Sequence, residues 1–590
     1  MKNLKNYCVL LLIIVIISSC ISAPKQSETP QQRGYIRSSP KPGVSTEVSH
    51  ETKKWTIMFY DDADFLYDEE NFTSAHNPID FFAATAFSCK NIHVVALEDP
   101  YGNESAKTWY IIEKKVLLKE NGEINMGDPK TLKDFISYCK KEFPAERYIL
   151  LVYDHGMGWE GCCIDTPSKD KLTMPEMKDA LSKSGVDILC FTGTCLMGAV
   201  ESVYELRDCI DIYISSEEYS FYLYYWAEAI NPICRILNEN PDLSNEEIGK
   251  KIIEIIEENN KNLDYKEYIT MSAIKTEKLD TLVENVNTFT EILLSNQNWD
   301  EIIDICLGSQ SFGSSGMIKN LVDLYDLADR CSNIEGLEEV SRKVKELLKN
   351  TVIAEIHGKK HPNAWGISVY LGLYYGKEEA EDNLSDYEKS GLDFVCDTEW
   401  SSFLHELHSG YYEKLFGGLT KNLLSNSGFE EGENKPYGWA YTSREGVSFL
   451  WNEKNVYNGK YCISITNNDE NNPYPNIWMQ TLKVEKISKK LKLTAHIKSK
   501  NLKALNKNAK AAIYILFFDG DDNVIGFFTT PQDVIFYGTR DWTEVVALGE
   551  VPEGAAKIEI MAFMIGTGTA FFDDIKLYGS EKDKVMITTE

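Results

Sequence analysis

Basic side chains are in the minority in this chain: 61 Lys and Arg stand against 91 Asp and Glu, a formal net charge of -30 over 590 residues. No basic stripe stands out among them, which argues against binding nucleic acid through a general cationic surface. Several signatures of chemistry are missing as well. The sequence has no Gly-x-Ser-x-Gly nucleophile elbow, no Walker loop and no convincing dinucleotide fingerprint. His405-Glu-Leu-His408 does not have the spacing of a His-Glu-x-x-His zinc helix and has no third ligand nearby, so it reads as an ordinary surface helix. The 14 cysteines are spread thinly, and Cys190, Cys209 and Cys234 fall inside apolar runs, a pattern of buried thiols and not of a disulfide scaffold. Cys162-Cys163 is a vicinal pair, read as part of a loop, with redox activity as the alternative. The apolar run Val9–Ile17 is too short to span a bilayer.

What is present begins at that run. Lys2 and Lys5 precede it and Ser18-Ser19-Cys20 follows, the order of a secretory signal over residues 1–20. Ile17-Ser18-Ser19-Cys20 resembles the lipobox of bacterial-type lipoproteins, which implies lipidation at Cys20, export and a lipid anchor to the membrane at the cell surface; an ordinary signal peptide cut nearby is the alternative. Residues 21–52 are rich in Pro, Ser, Thr, Gln and Lys without apolar periodicity and read as a disordered tether.

From Trp55 the pattern alternates strand and helix. Trp55–Tyr60, Ile92–Leu97, Tyr148–Tyr153, Asp187–Phe191 and Ile210–Ser215 are short apolar runs. Helical spacing occupies Ile79 to Ser88, the stretch after Asp128-Pro129, and Met174–Ser184. Such alternation predicts a parallel sheet covered by helices, and ligands bind such sheets at the carboxyl ends of their strands. His155 stands just past one run and Cys195 just past another. If those strands are neighbours, a thiol and an imidazole share one rim. The imidazole can then take the thiol's proton and later deliver it to a leaving amine. Apolar residues at helical spacing after Cys195 place the thiol at a helix N-terminus, and the backbone N–H groups of Gly156 and Cys195 would face an oxyanion. Leu243–Asn262, Leu279–Leu294 and Glu335–Lys349 read as amphipathic helices beside the sheet.

Asp154-His155-Gly-Met-Gly-Trp159 and Cys195-Leu-Met-Gly-Ala-Val-Glu201 resemble the clostripain family of cysteine peptidases, which have a caspase-like fold. Trp55 to Asp64, Leu321 to Ala328, Ala364 to Tyr370 and Thr398 to Leu404 are similar to further segments of that family, in order. The resemblance implies a peptidase domain over 53–415, with Cys195 as nucleophile and His155 as general base and acid. It also implies an acidic residue two before the nucleophile, associated with binding a basic P1 side chain; this chain has Gly193 there. The family's Ser-Gln/Glu-Glu turn survives as Ser215-Ser216-Glu217-Glu218, followed by an aromatic run from Tyr219 to Trp226. Either Glu217 or Glu218 replaces the missing acid, or the aromatic run, Trp226 included, makes the pocket apolar. Lys169 and Lys171, in a loop from Glu160 to Thr173, are the processing points that a zymogen of this family implies.

After Phe416-Gly-Gly-Leu the texture changes to short alternating runs separated by Asn, Gly, Asp and Pro, which predicts an all-β sandwich over 421–581. Asn426-Ser-Gly-Phe-Glu430, Pro436-Tyr-Gly-Trp439 and Phe571-Phe-Asp-Asp-Ile-Lys-Leu577 resemble jelly-roll carbohydrate-binding modules. That resemblance implies a structural calcium on Glu430 and Asp573 or Asp574, and a carbohydrate ligand stacked on Trp439, Trp451, Tyr474 or Trp478. The sequence therefore predicts an exported, lipid-anchored cysteine endopeptidase acting on peptide or protein substrates, with no cofactor needed for the chemistry. The alternative is a catalytically weak or inactive surface protein that binds glycans or a cell-surface partner through its β-module.

Overall fold

The computed structural model describes residues 48, 50–62, 90–100, 105–111, 115–220, 232–261, 266–313, 319–373, 377–470, 472, 474–503, 510–530 and 538–588. The signal segment with Cys20, most of the tether, the helix expected at Ile79–Ser88 and the aromatic run from Phe221 to Trp226 lie outside these residues. The chain divides into two compact units, the first ending at Tyr412 and the second starting at Glu413. Among the described residues no helix is long and apolar enough to cross a membrane.

The first unit is an α/β sandwich built on a nine-stranded sheet. Its strands in chain order are β1 (Lys53–Asp62), β2 (Ile92–Asp99), β3 (Ala106–Ile111), β4 (Lys115–Gly122) and β5 (Ala145–Tyr153). A separate hairpin, β6 (Cys162–Asp165) and β7 (Asp170–Leu172), comes next. The main sheet resumes with β8 (Ile188–Phe191), β9 (Ile212–Ser215) and β10 (Thr270–Lys275). A small antiparallel sheet holds β11 (Ser311–Phe312), β12 (Lys319–Asp323) and β14 (Ser368–Leu373), while β13 (Val352–His357) closes the edge of the large one. The spatial order is β13-β10-β9-β8-β5-β1-β2-β3-β4. Only the five strands from β9 to β2 are parallel; β3, β4, β10 and β13 run antiparallel at the two edges, so the sheet is mixed.

The central strands are apolar on both faces because both are covered. On one side Ile57, Ile149, Leu151 and Ile188 meet Ile248, Ile252, Ile253 and Ile256 of the helix Asn245–Asn260. Toward the other, Tyr60 meets Phe135 of the helix Pro129–Glu142, whose Asp128 cap accepts the N–H of Lys130. Burial of this kind stabilises by about 25 cal/mol per Å² of apolar surface, which outweighs the modest β propensity of any one residue.

The second unit is a sandwich of two six-stranded antiparallel sheets. Trp439, Trp478, Leu493, Ile513 and Phe572 fill the layer between them.

Candidate active site

β5 and β8 are adjacent and parallel, with Val152 aligned to Phe191. His155 and Cys195 follow these residues by three and four positions, so both emerge at the carboxyl end of the sheet. The turn carrying Cys195 is fastened to the end of β5. Thr192 donates its N–H and its hydroxyl to the Val152 carbonyl at 2.7 and 2.9 Å, and the Thr194 hydroxyl reaches the same oxygen at 3.1 Å. Gly156 closes the gap between the two loops. A Cβ there would lie 2.2 Å from the Cys195 carbonyl oxygen and 2.9 Å from its nitrogen, so backbone rests on backbone and no larger residue fits.

Cys195 is not at a helix N-terminus. The following helix is only Val200–Glu205, and residues 195–198 form a turn in which Leu196 has φ 62. Tertiary ties prevent earlier helix formation: Leu196 N–H is given to Glu218, Gly198 N–H to Ser216, and Ser368 N–H to the Gly198 carbonyl. The helical spacing was real, but these ties outrank propensity.

The thiol sits under the turn that follows β9, and its sulfur accepts the N–H of Ser220 at 3.1 Å. Burial pushes Cys195 up to about 11, and the charges of Glu218 and Asp154 add to this while the Ser220 N–H opposes it. His155 stands exposed at the rim, and partial desolvation lowers its pKa below the ordinary imidazole value. The dyad therefore rests as neutral thiol and neutral imidazole near pH 7.

Glu217 and Glu218 have opposite surroundings, as neighbours leaving a strand must. Glu217 is fully buried, accepts the Gly366 N–H at 2.9 Å and faces Asp323, so it is removed from any substrate pocket. Burial followed by the Asp323 charge raises its pKa strongly, while Asp323 is itself raised to about 7 by burial. Asp323 caps the helix Leu324–Cys331 and accepts the Trp365 N–H at 2.6 Å. Glu218 lies on the Cys195 side and accepts N–H groups from Tyr219 (2.8 Å) and Gly313 (3.0 Å). Its other oxygen is 3.7 Å from Nε2 of His361. Gly193 has φ 93, a left-handed backbone that an L residue adopts only under strain. His361 was not singled out in the sequence, and Asp323 stood out only within the family-like segment Leu321 to Ala328, with no role attached to it.

The interval from Glu160 to Thr173 is a short 3-10 turn and the β6–β7 hairpin in place of an open loop. Lys169 sits at its tip with φ 55, whereas Lys171 pairs with Glu160 at 2.8 Å. In the second unit Trp439 and Trp478 are each 1% exposed, so they are core and cannot stack on a ligand. Trp451 is partly buried, gives its Nε1–H to Phe429 and stacks on Tyr461. Tyr474 is exposed, with the Arg444 guanidinium over its ring. Glu430 and Asp573 converge on one turn, but onto its N–H groups. Glu430 accepts from Lys460 and Tyr461, and Asp573 from Tyr457, Asn458 and Asp574. A calcium ion needs oxygens, and oxygens already facing N–H donors are poorly placed to ligate one. Asp574 pairs with Lys576. The donor set does not fit the ion.

A thiol and an imidazole at the carboxyl ends of adjacent parallel strands, in a mixed sheet covered by helices, are the arrangement a cysteine hydrolase requires. The clostripain family model matches residues 84–409, more than half of the chain. The chain belongs to the clostripain family. It is similar to the clostripain of Hathewaya histolytica, 30% identical over 204 residues that cover 28% of this chain and only 38% of that relative. Among solved structures it resembles an inactive zymogen C11 protease from Parabacteroides distasonis, at 18% identity and TM-score 0.45, covering 60% of this chain and 99% of that one. It also resembles a secreted C11 cysteine protease from Bacteroides thetaiotaomicron, at 15% identity and TM-score 0.46, covering 59% and 100% respectively.

Proposed function

We propose that this protein is an exported cysteine endopeptidase in which Cys195 attacks the peptide carbonyl and His155 moves the proton. The observation that carries this reading is the backbone contact between Gly156 and Cys195, which holds the imidazole loop against the nucleophile. Because the thiol rests protonated, attack needs His155 to remove its proton as substrate displaces the Ser220 N–H from the sulfur. The same imidazolium then protonates the leaving amine, and the N–H groups of Gly156 and Cys195 receive the oxyanion. Peptide and protein chains are the substrates. At P1 the reading favours a basic side chain held by Glu218, the one acid of the Glu217-Glu218 pair that faces the nucleophile. Lys169, at the hairpin tip, suits processing better than Lys171, which is held in an ion pair.

The order Lys2, Lys5, Val9–Ile17, Ser18-Ser19-Cys20 supports lipidation of Cys20 and attachment to the outer face of a membrane. The β-module supplies glycan binding beside catalysis. Tyr457, 48% exposed, stacks on His496 at 3.5 Å between ring centroids and lies near Trp542. Rings presented in this way suit the apolar face of a sugar. The test of the enzyme is cleavage of a peptide library varied at P1 by the soluble chain and its Cys195→Ala variant. Turnover lost with Cys195, and a Lys or Arg preference lost in Glu218→Gln, supports the reading. Equal, negligible turnover in both chains overturns it.

A further inference from the structure

Nothing in the peptidase chemistry uses Cys162 and Cys163. Their sulfurs are 3.7 Å apart and both residues are fully buried. They begin the β6–β7 hairpin, a sheet of its own with one strand of four residues and one of three. That hairpin braces the loop bearing His155 through three contacts. Gly156 forms a β-bridge with Cys162. Met157 gives its N–H to the Gly161 carbonyl at 3.0 Å. Ile164 gives its N–H to the Asp154 carboxylate. Residues 154–157, which include the general base, thus take their position from residues 161–164, which include both thiols. Cys163 has φ 54, an uncommon conformation for a residue with a side chain. Donor atoms of Asp62, Asp154 and Cys163 lie within 4.8 Å of one another.

We propose that Cys162 and Cys163 are a redox-modifiable dithiol, oxidised to an intrachain disulfide by a small-molecule disulfide of the glutathione class, and that this oxidation displaces His155. Only the effect on turnover rests on the peptidase reading. In the first step one protein sulfur attacks the reagent, forming a mixed disulfide and releasing one reagent thiol. In the second its neighbour attacks the mixed disulfide and releases the other. One reagent S–S bond and two protein S–H bonds are replaced by one protein S–S bond and two reagent S–H bonds. The protein pair loses two electrons and the reagent gains them.

The geometry explains the coupling. Sulfurs 3.7 Å apart must close to about 2.05 Å, and adjacent residues can do so only if their shared backbone turns. That backbone carries the Cys162 bridge to Gly156, and the residues flanking it, Gly161 and Ile164, carry the other two contacts to residues 154–157. In the closed hairpin the neighbouring Cys162 sulfur and burial hold Cys163 as a thiol, so attack waits for local opening. The hairpin's strands are only four and three residues long, and the oxidation requires that it open locally below the cost of global unfolding. Opening loosens the His155 loop, the disulfide traps it displaced, and a dithiol reductant restores it.

Two measurements test this. The full chain with Cys195→Ala is treated with oxidised glutathione under native conditions, remaining thiols are alkylated, and the peptide holding Cys162 and Cys163 is weighed. It is expected to lose two hydrogens and take no alkyl group. The active chain is then treated with phenylarsine oxide in excess 2-mercaptoethanol, which removes arsenic from single thiols such as Cys195 but not from a dithiol. Bridging replaces two S–H bonds with two S–As bonds and releases water. We expect kcat to fall by roughly tenfold or more, since misplacing a catalytic group by about 1 Å costs up to about a hundredfold. Dithiothreitol should restore it, and Cys163→Ser should resist. Thiols that react only when the protein unfolds overturn the proposal, and so does a bridged chain with unchanged kcat. The first arm needs no turnover, so failure of the peptidase reading would appear separately.

Discussion

Gly156→Ala tests the contact on which the active-site geometry depends. The added Cβ would stand 2.2 Å from the Cys195 carbonyl oxygen, 2.7 Å from the Thr194 methyl and 2.9 Å from the Cys195 nitrogen. An ordinary carbon–oxygen approach is about 3.3 Å, so the two loops must separate by roughly 1 Å. Two of the three obstacles are backbone atoms, and the Cys195 turn is held by three hydrogen bonds to the Val152 carbonyl, so no side-chain rotation relieves the clash. The His155 loop is the part that gives. A displacement of that size costs about a hundredfold in kcat, while overpacking costs about 1–3 kcal/mol of stability. Steady-state kinetics on a cleaved library peptide, with thermal unfolding alongside, separates the two effects. The expected result is a large fall in kcat with KM little changed. A variant that melts a few degrees lower yet keeps kcat within about twofold would refute the claim that this contact sets the dyad.

Four further outcomes follow from the same structure. His155 must be neutral to accept the Cys195 proton, and desolvation lowers its pKa, so kcat/KM should rise with pH through a midpoint below 6.5; a midpoint above 7 contradicts the assignment. Glu217 and Asp323 are both raised, so their contribution is intact below the ordinary carboxyl range and is lost as pH climbs through their raised values, about 7 for Asp323. Glu217→Gln keeps a donor for Asp323 and removes one titration, so its midpoint of heat inactivation should fall less than the parent's between pH 5 and 8; parallel curves would count against the pair. In the β-module Trp478→Ala should cost about 3–5 kcal/mol, whereas Tyr474→Ala should cost little, which differential melting resolves. Chelation should leave the melting of this module unchanged, because Glu430 and Asp573 hold their turn through N–H groups; a clear drop on chelation would restore the calcium reading.

Much of the fold was legible because the central strands are continuous apolar runs, and a run too short for a helix and apolar throughout has few places to go but the middle of a covered sheet. The edges were harder to read. β10 and β13 alternate with helices in the chain just as the parallel strands do, and their antiparallel direction is set by pairing partners far away in sequence. The helix expected directly after Cys195 failed for a related reason. Its residues have helical spacing, but Leu196 and Gly198 give their N–H groups to Glu218 and Ser216, so the helix starts only at Val200. The tryptophans of the β-module show how composition alone misleads. Trp439 and Trp478 lie in stretches rich in turn residues that suggest exposure, yet each is wanted by the sandwich core for its area.

The two glutamates mark the limit most clearly. Glu217 and Glu218 are chemically identical and adjacent, so no property of the sequence can rank them as replacements for the acid missing at Gly193. Strand geometry sends successive side chains to opposite sides, and which side meets the nucleophile depends on where β9 ends against β8 and β10. Once that register is fixed, the inner residue must find partners in the core. Glu217 finds the Gly366 N–H and Asp323, a residue whose role becomes visible only when the helix it caps is set beside β14. Glu218 is largely buried too, which raises its own pKa, but it lies near the sulfur, where its charge raises the thiol's pKa and where, on the proposed reading, it would meet a cationic side chain of the substrate. An acid that opposes thiolate formation at rest has that effect reduced when a basic P1 group neutralises it. Substrate binding and nucleophile activation are therefore expected to be coupled through Glu218, and Glu218→Gln should lower kcat for basic substrates less than it raises their KM.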